Sequence, residues 1–310
     1  MYFPFLRGRQ NELLAIRELL DEGLLTGKVI PVIEPIKETN TFEITLKQYI
    51  EKEYQLYLTL NTQVEDFEIS PTLENLISES QSVFPALLME DDDYVNYIPQ
   101  LGELPSIVFY KNREDIDKKV ELDKLHINPK ISFITNNRDT RYFPNNEVGL
   151  YRDVFEKKKR NADYDSNTPE FYSDDHLYYR EEGFVAFSDY SIVGEEYSTS
   201  GFAPMAVALH IVYFDEKEET MMIRHFVSDS NEDISNPAGK FSEALEKLVQ
   251  WFLKESKDQD FKKLNHSSAM EEFVTLLDNK KYPGLGYVKK LSLKHHLEIM
   301  DRFLANDLND

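Results

Sequence analysis

Short apolar runs recur through the first two-thirds of the chain, separated by stretches whose apolar positions repeat every three to four residues. The strand-like runs are Tyr2–Phe5, Val29–Ile33, Gln55–Leu60, Val83–Met89, Ser106–Tyr110, Ile131–Ile134, Val148–Val154 and Phe184–Phe187. Between them, Gln10–Leu24 sets Leu13, Ile16, Leu20 and Leu24 on one helical face. Asn40 with Glu43, Ser70-Pro71, and Asn112 with Asp115 mark further helix starts. Strands spaced by roughly 25 residues and alternating with helices predict parallel βα units. Eight such units are what a (β/α)8 barrel requires. The expected architecture is therefore α/β, TIM-barrel-like over residues 1–194, with a doubly wound open sheet as the alternative.

The alternation stops at Phe155. FEKKKRNADYDSNTPEFYSDDHLYYREEG (155–183) is charged and rich in tyrosine, and it has no period. A long aperiodic segment in a compact domain reads as a binding loop or a lid. Here it is read as a docking surface, so deleting Asn161–Asp175 is expected to leave the folded core intact. Beyond it, residues 195–310 read as an α+β elaboration. Ala206–Phe214 and Thr220–Val227 form a hairpin across 215–219, and Asn236-Pro237 caps a helix carrying Phe241, Leu245, Leu248 and Phe252. Ser268 to Glu271 has capping-box spacing, and Lys290–Asn306 is a last amphipathic helix.

In a parallel barrel the strand C-termini share one rim, where functional groups gather. The residues at those ends are Arg7, Arg9, Glu34, Lys37, Asn61, Lys111, Asn136, Arg138, Asp153, Asp189 and Tyr190. Strand ends are polar in any water-exposed barrel, so the particular expectation is that Arg7, Glu34 and Lys37 converge on one open face. Glu34 and Asp189 are candidate catalytic carboxylates. Glu90 and Asp91 offer oxygen ligands suited to magnesium or calcium, although acidic residues at that position also favour a helix start. His210 and His225 lie on hairpin strands that face each other, and His225 is the third catalytic candidate. No nucleophile elbow, H-E-x-x-H, Walker loop or dinucleotide fingerprint occurs. No cofactor is expected.

Composition narrows the partners. The 310 residues include no cysteine, which excludes disulfides, thiolate catalysis and cysteine-held zinc or iron–sulfur clusters. The net charge of −22 opposes direct nucleic-acid binding, despite the basic run Lys157–Arg160. MYFPFLRGRQ has no signal-peptide pattern, and no run of about 18 apolar residues spans a membrane. A cytoplasmic location is the default expectation.

Five segments carry a resemblance: YFPFLRGRQNELLAIREL, VIPVIEPIK, GFVAFSDYSIVGEEY, KFSEALEKLV and GLGYVKKLSLKHHLEIM. In that order they resemble the bacterial "beta family proteins", named after a phage-encoded beta protein, and the likeness covers nearly the whole chain. It implies a TIM-barrel-like fold and a mobile gene neighbourhood associated with phage defence, often beside a restriction-endonuclease-like protein. It carries over no catalytic residue. Lys240, His295 and His296 become candidates through membership of those segments. Two functions follow as expectations. One is a non-catalytic recognition or regulatory subunit that contacts a partner protein, such as a nuclease-like neighbouring gene product. The other is a metal-dependent hydrolase using rim carboxylates and His225.

Overall fold

The computed structural model describes residues 1–62, 67, 70–90, 94–101, 105–144, 147–164, 166–197 and 205–306, with backbone only at 72 and 73. It divides into two compact units, Met1–Asp153 with Asp175–Tyr190, and Val154–Asp174 with Ser191–Asp310.

The first unit is a barrel of eight parallel strands: β1 (Phe5–Leu6), β2 (Val32–Ile33), β3 (Leu56–Thr59), β4 (Val83–Leu88), β5 (Ile107–Tyr110), β6 (Ile131–Ile134), β7 (Val148–Tyr151) and, after β8 (Glu170–Ser173) of the second unit, β9 (Ala186–Ser188). Neighbours follow chain order from β1 to β9. The ends then meet. Tyr2 bridges Phe187, the Phe3 N–H donates to the Phe187 carbonyl at 2.8 Å, and the Phe5 N–H donates to the Asp189 carbonyl at 2.8 Å. That closure rules out the open-sheet alternative and defines a TIM-barrel-like fold. Helices α1 (Gln10–Asp21), α2 (Asn40–Glu51), α3 (Pro71–Ser78), α4 (Tyr94–Leu101) and α5 (Arg113–Lys124) link the first six strands. Asn112 and Asp115 form a reciprocal capping box on α5. On α2 the cap is Thr39, one residue before the expected Asn40; its hydroxyl accepts from the Phe42 N–H at 3.2 Å.

Alternation along each strand decides what fills the barrel. Phe3, Phe5, Tyr57, Phe84, Phe109, Phe133, Tyr151 and Tyr190 belong to one buried cluster. Phe109 and Phe133 stack at 4.7 Å between ring centres. Gly149 makes room for them, since a β-carbon there would lie 2.5 Å from the Phe133 ring.

The second unit holds a three-stranded antiparallel sheet in the order β10 (Ala208–Phe214), β11 (Met221–Val227), β8. The hairpin forms as expected, and its register sets Phe214 opposite Met221 and His210 opposite His225. One face buries Leu209, Ile211, Tyr213 and Phe226 against α7 (Pro237–Glu255), α8 (Gln259–Asn265) and α9 (Ser268–Asp278). The stripe Phe241, Leu245, Leu248 and Phe252 points into that core. The cap of α9 is Ser267 rather than Ser268. The last helix, α10 (Leu285–Asn306), starts five residues before the expected position.

The segment 155–183 is not a single insertion. Residues 170–173 form β8 and pair with β11, and Phe155, Tyr164 and Tyr172 are buried in the second unit. From Asp175 the chain rejoins the barrel through α6 (Asp175–Tyr178), where Tyr179 is buried. The division therefore falls at Val154, Asp175 and Ser191 rather than at residue 194. Pairing with a distant strand orders a stretch whose own sequence has no period.

Candidate functional site

Two positions past the interior residues Phe5 and Val32, β1 and β2 reach the barrel mouth. Arg7 and Glu34 keep the inward parity of Phe3 and Phe5 and of Ile30 and Val32, so both side chains turn over the aromatic core. The Arg7 Nη1 donates to Glu34 Oε2, with Arg7 5% and Glu34 0% exposed. The Thr62 hydroxyl donates to the other carboxylate oxygen at 3.3 Å. The guanidinium carbon lies 4.9 Å from the Tyr190 ring centre and 5.5 Å from that of Phe5. Tyr151 and Tyr190 share a hydroxyl–hydroxyl hydrogen bond. Burial works against the charge on Arg7, but Glu34, Tyr190 and Tyr151 outweigh it and hold the pKa above its ordinary value.

Glu12 locks this corner. It lies in the first turn of α1, is buried, and accepts from the Arg7 N–H at 2.7 Å. Burial raises its pKa, tempered by hydrogen bonds from the Arg7 and Arg9 backbone. Arg9 itself is the N-cap of α1 and contributes through its backbone. Nearer solvent, Lys111 and Glu90 form an ion pair at 2.7 Å.

The expected rim is thus brought together only in part. Lys37 is exposed, and among the described residues it makes no bond to Arg7 or Glu34. The face is not open where Arg7 and Glu34 meet. Asp189 has the outward parity of Phe187 and accepts from the Tyr2 hydroxyl at 2.5 Å. Asn61 binds the Leu88 backbone through both amide atoms, at 2.7 and 2.9 Å. Asn136 caps a 3-10 turn by accepting from the Arg138 N–H at 2.9 Å, and the Arg138 side chain is exposed. Asp153 is exposed, and Asp91 lies outside the described residues. Among the described residues, no three histidine, aspartate or glutamate side chains gather as a metal site.

The second candidate constellation lies in the second unit. His210 Nδ1 and His225 Nδ1 are 2.7 Å apart. Glu170 Oε2 lies 3.7 Å from His225 Nε2. One of the two Nδ1 atoms donates and the other accepts, according to the tautomers of the pair. The Tyr164 ring packs on both imidazoles, at 4.6 and 4.5 Å. Burial pushes the His210 pKa down to about 3, with further repulsion from His225 and Lys289. His210 is therefore neutral at pH 7 and a weak base. The neighbours of His225 are engaged elsewhere: the Ser228 hydroxyl donates to the Ser230 carbonyl at 3.0 Å, and Asp229 pairs with Lys247 at 2.7 Å. His225, Ser228 and Asp229 therefore form no Ser–His–Asp triad.

Lys240, His295 and His296 are buried and bonded within the second unit. Lys240 donates to the Asp233 carbonyl, His295 sits between the Ser267 hydroxyl at 2.7 Å and the Val212 carbonyl at 3.0 Å, and His296 Nδ1 lies 2.7 Å from the Ser191 hydroxyl. Sequence reasoning missed Glu12, Tyr151, Glu170 and Tyr164. Glu12 and Tyr151 had a usable signal, a first-turn carboxylate after a strand end and the inward parity of β7. Glu170 and Tyr164 had none, because their partners are distant in sequence.

No protein-family model matches the chain, and a search of curated proteins found no match. Among the described residues no helix is long and apolar enough to cross a membrane.

Proposed function

We propose that the protein is a non-catalytic recognition or regulatory subunit acting through contact with a partner protein. In this reading it belongs with the beta family proteins it resembles, in a bacterial phage-defence or mobile-element module, and its partner is a nuclease-like neighbouring gene product. The observation that carries the reading is the Arg7–Glu34 pair. A barrel enzyme keeps its reactive carboxylates within reach of substrate at the C-terminal mouth. Here the central carboxylate is fully buried and neutralised by a guanidinium, above an aromatic plug. Charge and exposed aromatics fit a protein partner. The net charge is −22, and Phe171 on β8 is 59% exposed.

The test is size-exclusion chromatography of the full chain co-expressed with its neighbouring gene product, beside turnover assays on ester and phosphoester substrates. The reading requires a co-eluting complex and no turnover. A chain that elutes alone and hydrolyses a substrate, with activity lost in Glu34→Gln, overturns it in favour of the hydrolase.

A further inference from the structure

A cavity of about 200 Å³ opens in the second unit between β8, β11 and the segment that leaves the barrel. This exceeds the roughly 150 Å³ of an engineered apolar cavity that admits benzene, so a side-chain-sized molecule fits. Its walls include Phe155, Tyr172 and Ile223, and its polar groups are Glu156, Glu170 and His225. His225 is 1% exposed and its Nδ1 is engaged by His210.

The wall chemistry discriminates between ligands. An anion would meet the Glu170 carboxylate, since Glu156 is exposed and paired with Lys158. A purely apolar guest would strip water from Glu170 and His225 without replacing its hydrogen bonds. A cation on a short apolar stem satisfies both halves, with the stem on Ile223 and the aromatic rings and the charge at the Glu170 carboxylate. Lys158 sits 2.7 Å from Glu156 and answers that carboxylate. Glu170 has His225 as its neighbour at 3.7 Å, a separation that leaves its oxygens able to accept further donors. Aromatic faces add cation–π attraction.

We propose that this cavity binds a primary ammonium group on a short alkyl chain, with Glu170 as the counter-ion and Phe155 and Tyr172 as the walls. The free amine and the lysine side chain of a peptide share this chemistry. The site is independent of the barrel-mouth reading, since every residue named lies in the second unit.

The experiment is an NMR titration of the full chain, following the His225 imidazole signals with n-butylammonium, n-butanol and butyrate as probes. The expected result is a saturable shift with n-butylammonium, at least tenfold weaker binding of butanol, and none of butyrate. Glu170→Gln should weaken n-butylammonium at least tenfold without changing Tm. If that variant fails to fold, the butanol comparison on the unaltered protein stands alone. Nα-acetyl-lysine methylamide binding at least as tightly as n-butylammonium assigns the site to a lysine side chain, and weaker binding assigns it to a free amine. Equal affinity for butanol and n-butylammonium, or no shift with either amine, overturns the proposal.

Discussion

The Arg7 guanidinium closes on the Glu34 carboxylate where β1 and β2 leave the barrel, with the Glu12 carboxylate fixing the Arg7 backbone from the first turn of α1. A buried charge deprived of its partner is costly, whereas an apolar replacement of both is not. Glu34→Ala should therefore destabilise the protein by about 3–5 kcal/mol, while Arg7→Met with Glu34→Leu should cost much less. Urea denaturation of Glu34→Ala, Arg7→Met and the double variant measures this, and equal losses from all three would contradict the pair's role.

Gly149→Ala tests the aromatic filling. Its new methyl would meet the Phe133 ring, itself stacked on Phe109 and edge-on to Phe3 at 5.2 Å. Overpacking of this kind costs about 1–3 kcal/mol. Adding Phe133→Leu should recover part of that loss in thermal melts, and no recovery would place the strain elsewhere.

The strands were legible because runs such as Val29–Ile33 and Ser106–Tyr110 are apolar on both faces, as parallel barrel strands must be. Their ends were legible too, since a charge after such a run marks its exit from the core. Parity at those ends was harder to read. β9 turns Ser188 and Tyr190 inward and Asp189 outward, and that register depends on pairing with β1 and β7. The same limit hid β8, whose four residues gain strand geometry from β11. The last helix shows a further case. Leu293, Leu297, Met300 and Leu304 are buried as their spacing predicts, but so are Lys290, Lys294, Glu298 and Asp301. A one-sided pattern does not foretell a helix buried on several sides.

His295 makes a pH prediction. Its imidazole accepts from Ser267 and donates to Val212, and burial pushes its pKa down to about 3, the carbonyl contact only partly opposing. The ordinary histidine value is about 6.5. Its contribution is thus fully present above pH 6.5 and is lost as pH falls toward 3, by up to about 1.4 kcal/mol per pH unit. Burial raises Glu12 and Glu298, which act in the opposite sense. The useful quantity is therefore the difference from His295→Gln. Chemical denaturation between pH 7 and 5 should show a shallower acid loss in that variant, and parallel curves would remove His295 from the account.

The residues of 155–183 divide by burial. Tyr164, packed on both histidines, should cost about 3 kcal/mol or more as Tyr164→Ala. Phe171→Ala, on an exposed side chain, should change stability by less than about 0.5 kcal/mol. Deleting 161–175 removes β8 and should unfold the second unit, contrary to the expectation from sequence. Circular dichroism melts of the three variants decide it, and a deletion that melts like the intact chain would contradict the placement of β8.

Access to Glu34 tests the central claim most directly. The native full chain can be labelled with a water-soluble carbodiimide and glycine ethyl ester, and the modified carboxylates mapped by mass spectrometry. The account predicts that Glu90 at the mouth reacts while Glu34 stays unmodified until urea unfolds the protein. Labelling of Glu34 in the native chain at the rate of Glu90 would show an open mouth and a carboxylate available for chemistry, contradicting the account.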